Sequence, residues 1–202
     1  MSTITEADVR ARTRELIERV GADADQVAFR SAQWDAGLAM VQYPEGKGGL
    51  GVSPKLQGAV QEELQAAGVR HDSMAINPIG IGMGLPTVLT YGSDELHDRH
   101  LKKIFTGEDI WCQMFSEPGY GSDVAGLASR AVRDGDEWIV NGQKVWTSLA
   151  HHSSYGMLLV RTDPDVPKHR GLSYFVVDMA SPGIEIRPLY QITGDAEFNE
   201  IF

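Results

Sequence analysis

The sequence predicts an α+β fold, in which an N-terminal α-helical domain precedes a small β domain of barrel-like or sandwich-like form. Up to about residue 108, apolar residues recur at the spacing of amphipathic helices. Beyond that point they stand in short β-rich runs separated by turn residues. We therefore predict two domains, covering residues 1–109 and 110–202.

Spacing and capping residues predict the first two helices. Apolar residues within 5–20 recur at near-helical intervals among charges, which indicates an amphipathic helix. Ser53 followed by Pro54 is typical of an N-cap and a first helical residue, and Gly68 marks the end of that second helix. The segment 44–51 between them has a lysine amid glycines but lacks the P-loop spacing, so it is predicted to be a loop.

A third helix is predicted to begin at the N-cap Ser93 and to end at Gly107, with Leu96 and Ile104 facing inward. The apolar segment 76–90 before it contains glycine and proline, and it is predicted to be an interrupted, buried helix. Periodicity alone does not distinguish a buried core helix from the wall of a ligand cavity.

The second domain is predicted from hairpin signals and short strands. Asp134-Gly135 and Asn141-Gly142 are typical turn dipeptides. Prolines between the runs, Pro188 among them, are expected to lie in turns. The predicted strands are 138–140, 145–146, 157–160, 174–177, 184–186 and the alternating run 198–202.

Composition excludes several classes of protein. The formal net charge of −10, without any basic run, argues against a nucleic-acid-binding surface. The single cysteine, Cys112, excludes an intrachain disulfide and is typical of a reducing compartment, so a cytoplasmic location is expected. An apolar leader and a run of about 18 apolar residues are both absent from the sequence, which predicts neither secretion nor a membrane span. The adjacent pair His151-His152 lacks metal-ligand spacing and is predicted to be a solvated loop, so no metal site is expected.

The segment 111–123, WCQMFSEPGYGSD, places a β-like run directly before a glycine-rich turn. Gly119 and Gly121 permit positive φ and let backbone N–H groups approach a phosphate. Ser122 adds a hydroxyl donor. This combination predicts a phosphate-binding turn, although a glycine-rich turn taken alone is often only structural.

The segment 140–148, VNGQKVWTS, ends a strand with an indole and two hydroxyls. Trp146 offers a broad apolar face to a planar ring system, and Thr147 or Ser148 can form hydrogen bonds with the polar edge of such a ring. An ordinary core aromatic is the alternative for any single tryptophan, and Trp34 and Trp138 are placed in that class. Together the two segments indicate a flavin site.

These two motifs, SEPGxGSD and NGQKxW, resemble those of the acyl-CoA dehydrogenases, flavoenzymes that desaturate acyl-CoA thioesters between the α and β carbons. The resemblance covers residues 5–202, and several segments are similar to actinobacterial members. It implies FAD as cofactor and an acyl-CoA substrate, in β-oxidation of fatty acids or of steroid side chains. It further implies an electron-transferring flavoprotein as acceptor and a homo- or hetero-oligomer, usually a tetramer.

The resemblance also implies roles for individual residues. Phe115 and Ser116 would meet the pyrimidine side of the flavin, and Ser122 would lie beside the FAD pyrophosphate and near CoA. Trp146 would pack against the flavin, with Ser148 near its N5 and O4 edge. The residues implied to bind FAD are Gln113, Met114, Phe115, Ser116, Gly121, Ser122, Trp146, Thr147 and Ser148, and Ser122 is also implied to bind substrate.

The resemblance places the catalytic base, a glutamate, in a C-terminal four-helix domain beyond Phe202. The sequence stops within a predicted strand, so about half of such an enzyme is expected here. Glu117 belongs to the turn motif and is predicted to form hydrogen bonds with its own loop. Three functions stay open: the dehydrogenase itself, an acyl-CoA oxidase or flavin monooxygenase on the same fold, and a non-catalytic partner subunit of a heteromeric dehydrogenase.

Overall fold

The computed structural model describes residues 4–69 and 73–202 of the chain. The chain divides into two compact units, Met1–Asp109 and Ile110–Phe202. Helices make up the first unit, and strands dominate the second. The predicted α+β fold class is therefore confirmed.

Helix α1 (Glu6–Val20) begins at a reciprocal cap. The Thr5 hydroxyl accepts a hydrogen bond from the Asp8 backbone N–H at 3.3 Å, and the Asp8 carboxylate accepts one from the Thr5 N–H at 2.8 Å. Val9 and Leu16 are buried on its inner face, as the spacing predicted.

Helix α2 (Gln26–Asp35) was not predicted. Its N-cap Asp25 accepts a hydrogen bond from the Ala28 N–H at 3.1 Å. The sequence does not show a clear helical spacing of apolar residues here, because two of the four buried residues of α2 are polar. The buried residues are Phe29, Arg30, Gln33 and Trp34.

Helix α3 (Gln57–Ala66) follows a single 3₁₀ turn, Pro54–Leu56. Ser53 caps that turn by accepting a hydrogen bond from the Lys55 N–H at 3.4 Å. Gly68 follows with φ +76°, a left-handed conformation that favours glycine, so the predicted start and end are both confirmed.

The remaining helical segments bear out the predicted interruptions. The stretch predicted as the third helix begins at Ser93, whose hydroxyl accepts a hydrogen bond from the Leu96 N–H at 3.3 Å, and ends at Gly107 with φ +84°. A wider π-helical turn, of a kind often found at functional positions, lies within each of the predicted helical segments 76–90 and 93–107. The segments are α4 (Ser73–Ile76), a π turn (Gly80–Gly84), α5 (Leu85–Tyr91), α6 (Asp94–Leu96), a second π turn (His97–Leu101) and α7 (Lys102–Thr106).

Asn77 is a fully buried polar residue that joins these segments. Its Nδ2 donates to the carbonyls of Ile104 at 3.0 Å and Asp109 at 2.9 Å. Its Oδ1 accepts a hydrogen bond from the Gly80 N–H at 3.2 Å. We expect Asn77→Ala to lower the free energy of unfolding by about 1–3 kcal/mol, because buried backbone groups lose their partners. Denaturant unfolding of the full-length protein measures this, and an equal loss in the exposed-site control Asn141→Ala would contradict it.

The second unit contains two hydrogen-bonded sheets, one of five strands and one of three. The strands are β1 (Trp111–Met114), β2 (Arg130–Asp134), β3 (Glu137–Asn141), β4 (Lys144–Ser148), β5 (Tyr155–Arg161), β6 (Leu172–Asp178), β7 (Ile186–Leu189) and β8 (Phe198–Ile201). In the larger sheet, β5 pairs with β6 on one side and with β1 and then β2 on the other, and β2 forms a hairpin with β3. The smaller sheet has the order β4-β8-β7.

Two details of the β unit were predicted wrongly. Pro188 lies within β7 rather than in a turn, and it is tolerated because β7 is an edge strand of the smaller sheet. Trp138 is not a core residue, since it is 41% exposed and packs edge-on against Phe175. The described strands form no closed barrel, which leaves the sandwich-like form of the prediction.

Both sheets contribute to one hydrophobic core, which includes Met114 and Leu158 of the larger sheet and Ile201 of the smaller. Cys112 is buried in it as a free thiol, and burial raises its pKa to about 11. None of the helices in the described ranges 4–69 and 73–202 is both long and apolar enough to cross a membrane.

Candidate flavin site

The residues after β1 form a tight turn that carries the first motif. The Glu117 N–H donates to the Tyr120 carbonyl, and the Tyr120 N–H donates to the Glu117 carbonyl, both at 3.0 Å. This exchange leaves Pro118 and Gly119 at the tip. Residues 118–123 are all exposed, so this turn is open to solvent.

Gly119 and Gly121 were expected to permit positive φ, but neither residue has a left-handed conformation in the structure. A Cβ atom added at either would meet no heavy atom within 4 Å. The constraint lies at Gly126 instead, where a Cβ would be 2.6 Å from Cδ1 of Tyr120. The loop thus accommodates the bulky Tyr120 by packing it against Gly126.

Glu117 holds this turn from inside. Its Oε2 accepts a hydrogen bond from the Ala128 N–H at 2.7 Å, and its Oε1 accepts one from the Ser129 N–H at 3.0 Å. The side chain is buried. Glu117 therefore forms hydrogen bonds with its own loop, as predicted from its place in the motif.

Lys144, the first residue of β4, joins the second motif to the first. Its buried Nζ donates to Glu117 Oε1 at 2.8 Å and to the Phe115 carbonyl at 3.1 Å. The next residue, Val145, donates its backbone N–H to the Ser116 carbonyl at 2.9 Å. The two motifs, which are separated by residues 124–140 in the sequence, therefore meet in space.

The Glu117–Lys144 pair is coupled in a low-polarity setting. Burial opposes ionisation of Glu117, but Lys144 and the hydrogen bonds from residues 128 and 129 outweigh it and lower the pKa of the carboxyl. Burial also lowers the pKa of Lys144, and Glu117 offsets part of that effect. Glu117 is thus held as a carboxylate with its oxygens occupied, a state unsuited to proton abstraction from a substrate.

Trp146 has an unusual backbone conformation for a large side chain, with φ +59°. From Lys144 to Thr147, β4 uses one residue more than β8 uses from Ile201 to Asn199, so Trp146 lies in a β-bulge. Its indole is 63% exposed and packs edge-on against Phe198, with ring centroids 6.2 Å apart. A left-handed non-glycine residue costs roughly 1–2 kcal/mol, and such strain is typical of functional sites.

The two hydroxyl residues after Trp146 differ in environment. Thr147 is buried, and its Oγ1 has no hydrogen-bond partner among the described residues. Ser148 is half-buried and pairs with Phe198 in the smaller sheet. A buried hydroxyl without a partner is uncommon and calls for a ligand or a solvent molecule.

The predicted residues of β1 divide between the core and the site. The Met114 side chain is buried in the hydrophobic core, so contact with a cofactor would involve its backbone. Gln113 is half-buried. Phe115 packs edge-on against Tyr174 at 6.4 Å, and burial raises the pKa of the Tyr174 hydroxyl above its usual value.

Asn199 was missed by the sequence analysis. It is fully buried in β8, where its Nδ2 donates to the Thr147 carbonyl and its Oδ1 contacts His151 Nδ1, both at 3.0 Å. The available signal was its register, because Asn199 shares a strand face with the buried Ile201.

A separate cleft of about 480 Å³ lies within the β unit. Trp138, Phe175, Ile201 and other largely apolar residues line it, and it meets the two motif-bearing segments at Met114, Val140, Gly142 and Lys144. Over residues 4–69 and 73–202, no group of three or more His, Cys, Asp or Glu side chains is arranged to hold a metal ion.

Comparison with known families agrees with this architecture. The N-terminal domain of acyl-CoA dehydrogenases matches residues 3–108, and the middle domain of the same enzymes matches residues 112–200. The chain belongs to the acyl-CoA dehydrogenase family.

Individual relatives are longer than this chain. It is 48% identical over 168 residues to the acyl-CoA dehydrogenase FadE34 of Mycobacterium tuberculosis, covering 83% of this chain and 23% of that protein. A chain of the solved ChsE4-ChsE5 complex from Mycobacterium tuberculosis is 30% identical to this chain, with a TM-score of 0.68. The match covers 100% of this chain and 53% of that chain. The Tcur3481-Tcur3483 steroid acyl-CoA dehydrogenase is 30% identical with a TM-score of 0.65, covering 98% of this chain and 52% of its own.

Proposed function

We propose that this chain forms the flavin-binding half of an FAD-dependent acyl-CoA dehydrogenase, which converts an acyl-CoA thioester to the 2-enoyl-CoA. One observation carries the proposal. Trp146 stands exposed in a strained bulge directly after Val145, which is hydrogen-bonded at 2.9 Å to Ser116 of the first motif. Family membership supports the reaction, and convergence of the motifs supports the site.

The chemistry of the residues fits FAD. The exposed indole of Trp146 offers an apolar face to the isoalloxazine ring, and the unpartnered Thr147 hydroxyl can pair with a polar ring atom, as can Ser148. The exposed turn with Gly121 and Ser122 offers N–H and hydroxyl donors to a pyrophosphate. The full proposed set also includes Gln113, Met114, Phe115 and Ser116. The solved glutaryl-CoA dehydrogenase from Mycobacterium smegmatis contains FADH2, and it is 23% identical to this chain.

Bound FAD supplies the hydride acceptor for the β-hydrogen of the thioester. The residues of this chain bind and orient the FAD, and Trp146 shields one apolar surface of its ring system from water. The α-proton needs a free carboxylate base. Glu117 cannot serve, because Lys144 and two backbone amides occupy its oxygens. As the family resemblance implies, we propose a glutamate beyond Phe202 as the base.

The substrate and the assembly are further proposals. The similar Tcur3481-Tcur3483 protein is a steroid enzyme, which supports a bulky steroid side-chain thioester over a simple fatty acyl one. Ser122 is proposed to lie beside CoA. The ChsE4-ChsE5 complex supports a hetero-oligomer, in which a non-catalytic partner role for this chain is the alternative. We propose a cytoplasmic protein that passes electrons to an electron-transferring flavoprotein.

The test uses the full-length protein. We expect a flavin absorption band and FAD after denaturation, together with thioester-dependent reduction of an artificial electron acceptor. Steroid and octanoyl thioesters are compared side by side. Hydrogen peroxide formation in air without an acceptor would favour the oxidase or monooxygenase alternative, and FAD binding without turnover would favour the partner-subunit alternative. Absence of bound FAD would overturn the proposal.

A further inference from the structure

We infer that Asn199 is a positioning residue for Trp146, and that it sets the affinity for flavin through the shape of the β4 bulge rather than through contact with the cofactor. This inference rests on the proposed function, because it concerns how the chain presents its flavin-facing indole. Asn199 is fully buried, whereas Trp146 is 63% exposed.

A hydrogen bond from the neighbouring strand β8 holds the bulge in β4. An extra residue in a strand disrupts the local ladder and leaves backbone groups that need other partners. The carbonyl of Thr147, directly after Trp146, receives its hydrogen bond from the Asn199 side chain at 3.0 Å. The bulge is therefore closed by a side-chain amide from the neighbouring strand.

His151 in turn orients the Asn199 amide. Since Nδ2 of Asn199 donates to the Thr147 carbonyl, Oδ1 must act as the acceptor toward His151 Nδ1 at 3.0 Å. His151 therefore carries a proton on Nδ1. Leu149, two residues before His151, also has a left-handed φ of +58°, and the Leu149 N–H donates to the Glu197 carbonyl at 3.0 Å.

The two left-handed residues thus flank one buried amide. Without the donor of Asn199, the Thr147 carbonyl loses this side-chain hydrogen bond, and Trp146 can relax from φ +59° toward ordinary extended backbone. Residues on a strand alternate between faces, so removal of the bulge would also turn the indole toward the opposite face. The flavin-facing surface would then be lost although every residue of the two motifs remained.

A double-mutant cycle tests this in the full-length protein. The Kd for FAD is measured by titrating the apoprotein, for Asn199→Leu with and without Trp146→Ala. We expect Asn199→Leu to raise the Kd roughly tenfold when Trp146 is present and less than about twofold in the Trp146→Ala background. An equal increase in both backgrounds, or none in either, would overturn the inference.

A second variant covers the case in which Asn199→Leu does not fold. His151 is exposed, so His151→Ala removes one hydrogen bond with little risk to folding. It should raise the Kd roughly threefold, again only when Trp146 is present. His152→Ala is the matched control, because the His152 side chain makes no hydrogen bond in the described part of the chain while His151 keeps its bond to Asn199. An increase in His152→Ala equal to that in His151→Ala would overturn the role of the Nδ1 hydrogen bond.

A readout without cofactor separates this inference from the proposed function. Trp146 emission is obtained by subtracting the spectrum of Trp146→Ala, and we expect its maximum to shift in Asn199→Leu because the exposure of the indole changes. An unchanged maximum would overturn the positioning role even if FAD binds. The expected shift, together with a wild-type protein that binds no FAD, would instead overturn the proposed function.

Discussion

Replacement of Glu117 by Gln should lower the free energy of unfolding by about 3–5 kcal/mol, because it leaves the buried Lys144 ammonium without its counter-ion. The amide also cannot accept the N–H groups of Ala128 and Ser129 with both of its ends, since one end is a donor. The loop and β4 would lose their shared anchor together. Denaturant unfolding of the full-length protein measures the change.

The same loop provides a matched control. Asp123 pairs with Lys168 at 2.8 Å, as closely as Glu117 pairs with Lys144, but both members of the Asp123–Lys168 pair are about half exposed. We expect Lys168→Ala to cost no more than about 1 kcal/mol. Similar losses in the two variants would contradict the importance of burial. The double variant Glu117→Gln with Lys144→Met should recover part of the lost stability, because no unpaired charge remains.

The Glu117 carboxyl also predicts a dependence on pH. Its pKa in the folded state is lowered, so its contribution is fully present above the unfolded value of about 4.5 and is lost as the pH falls through the folded value. The wild-type protein should therefore lose stability below pH 4.5 more steeply than Glu117→Gln does. Parallel acid-unfolding curves would show that Glu117 titrates alike in both states.

Local signals made most helix boundaries predictable. Thr5, Ser53 and Ser93 each accept a hydrogen bond from the following turn, and this chemistry is visible in residue type alone. Helix α2 was missed because Arg30 and Gln33 occupy positions where periodicity requires apolar residues. Such positions are satisfied by tertiary partners, which the sequence does not reveal.

The site was predictable only to the level of its motifs. The resemblance indicated that the turn and the β4 segment belong together, and the Lys144 contacts with Glu117 and Phe115 supply the physical link. The bulge at Trp146 could not be predicted, since no glycine or asparagine stands there to indicate a left-handed residue. It depends on pairing with β8, more than 50 residues later in the sequence.

Replacement of Trp146 by Ala should weaken FAD binding by about 2–3 kcal/mol, or roughly 30- to 150-fold in Kd. Loss of the indole removes an exposed aromatic surface directly after Val145, which is hydrogen-bonded to Ser116 of the first motif, and it leaves the strained backbone in place. Titration of the apoprotein measures the Kd. The matched control is Trp138→Ala, because Trp138 is also partly exposed but its ring packs against Phe175, whereas that of Trp146 packs against Phe198. An unchanged Kd in Trp146→Ala would mean that the flavin lies elsewhere.

A comparison of Trp146→Gly with Trp146→Ala separates the ring from the backbone. Both variants lack the indole, so both should bind FAD weakly. Glycine adopts φ +59° at no steric cost, whereas alanine keeps the strain, so the glycine variant should be more stable by about 1 kcal/mol. In an ordinary strand the order would reverse, because glycine destabilises extended segments relative to alanine. The sign of this difference, measured by thermal unfolding, therefore reports directly whether the chain stores strain at Trp146 to hold the indole outward.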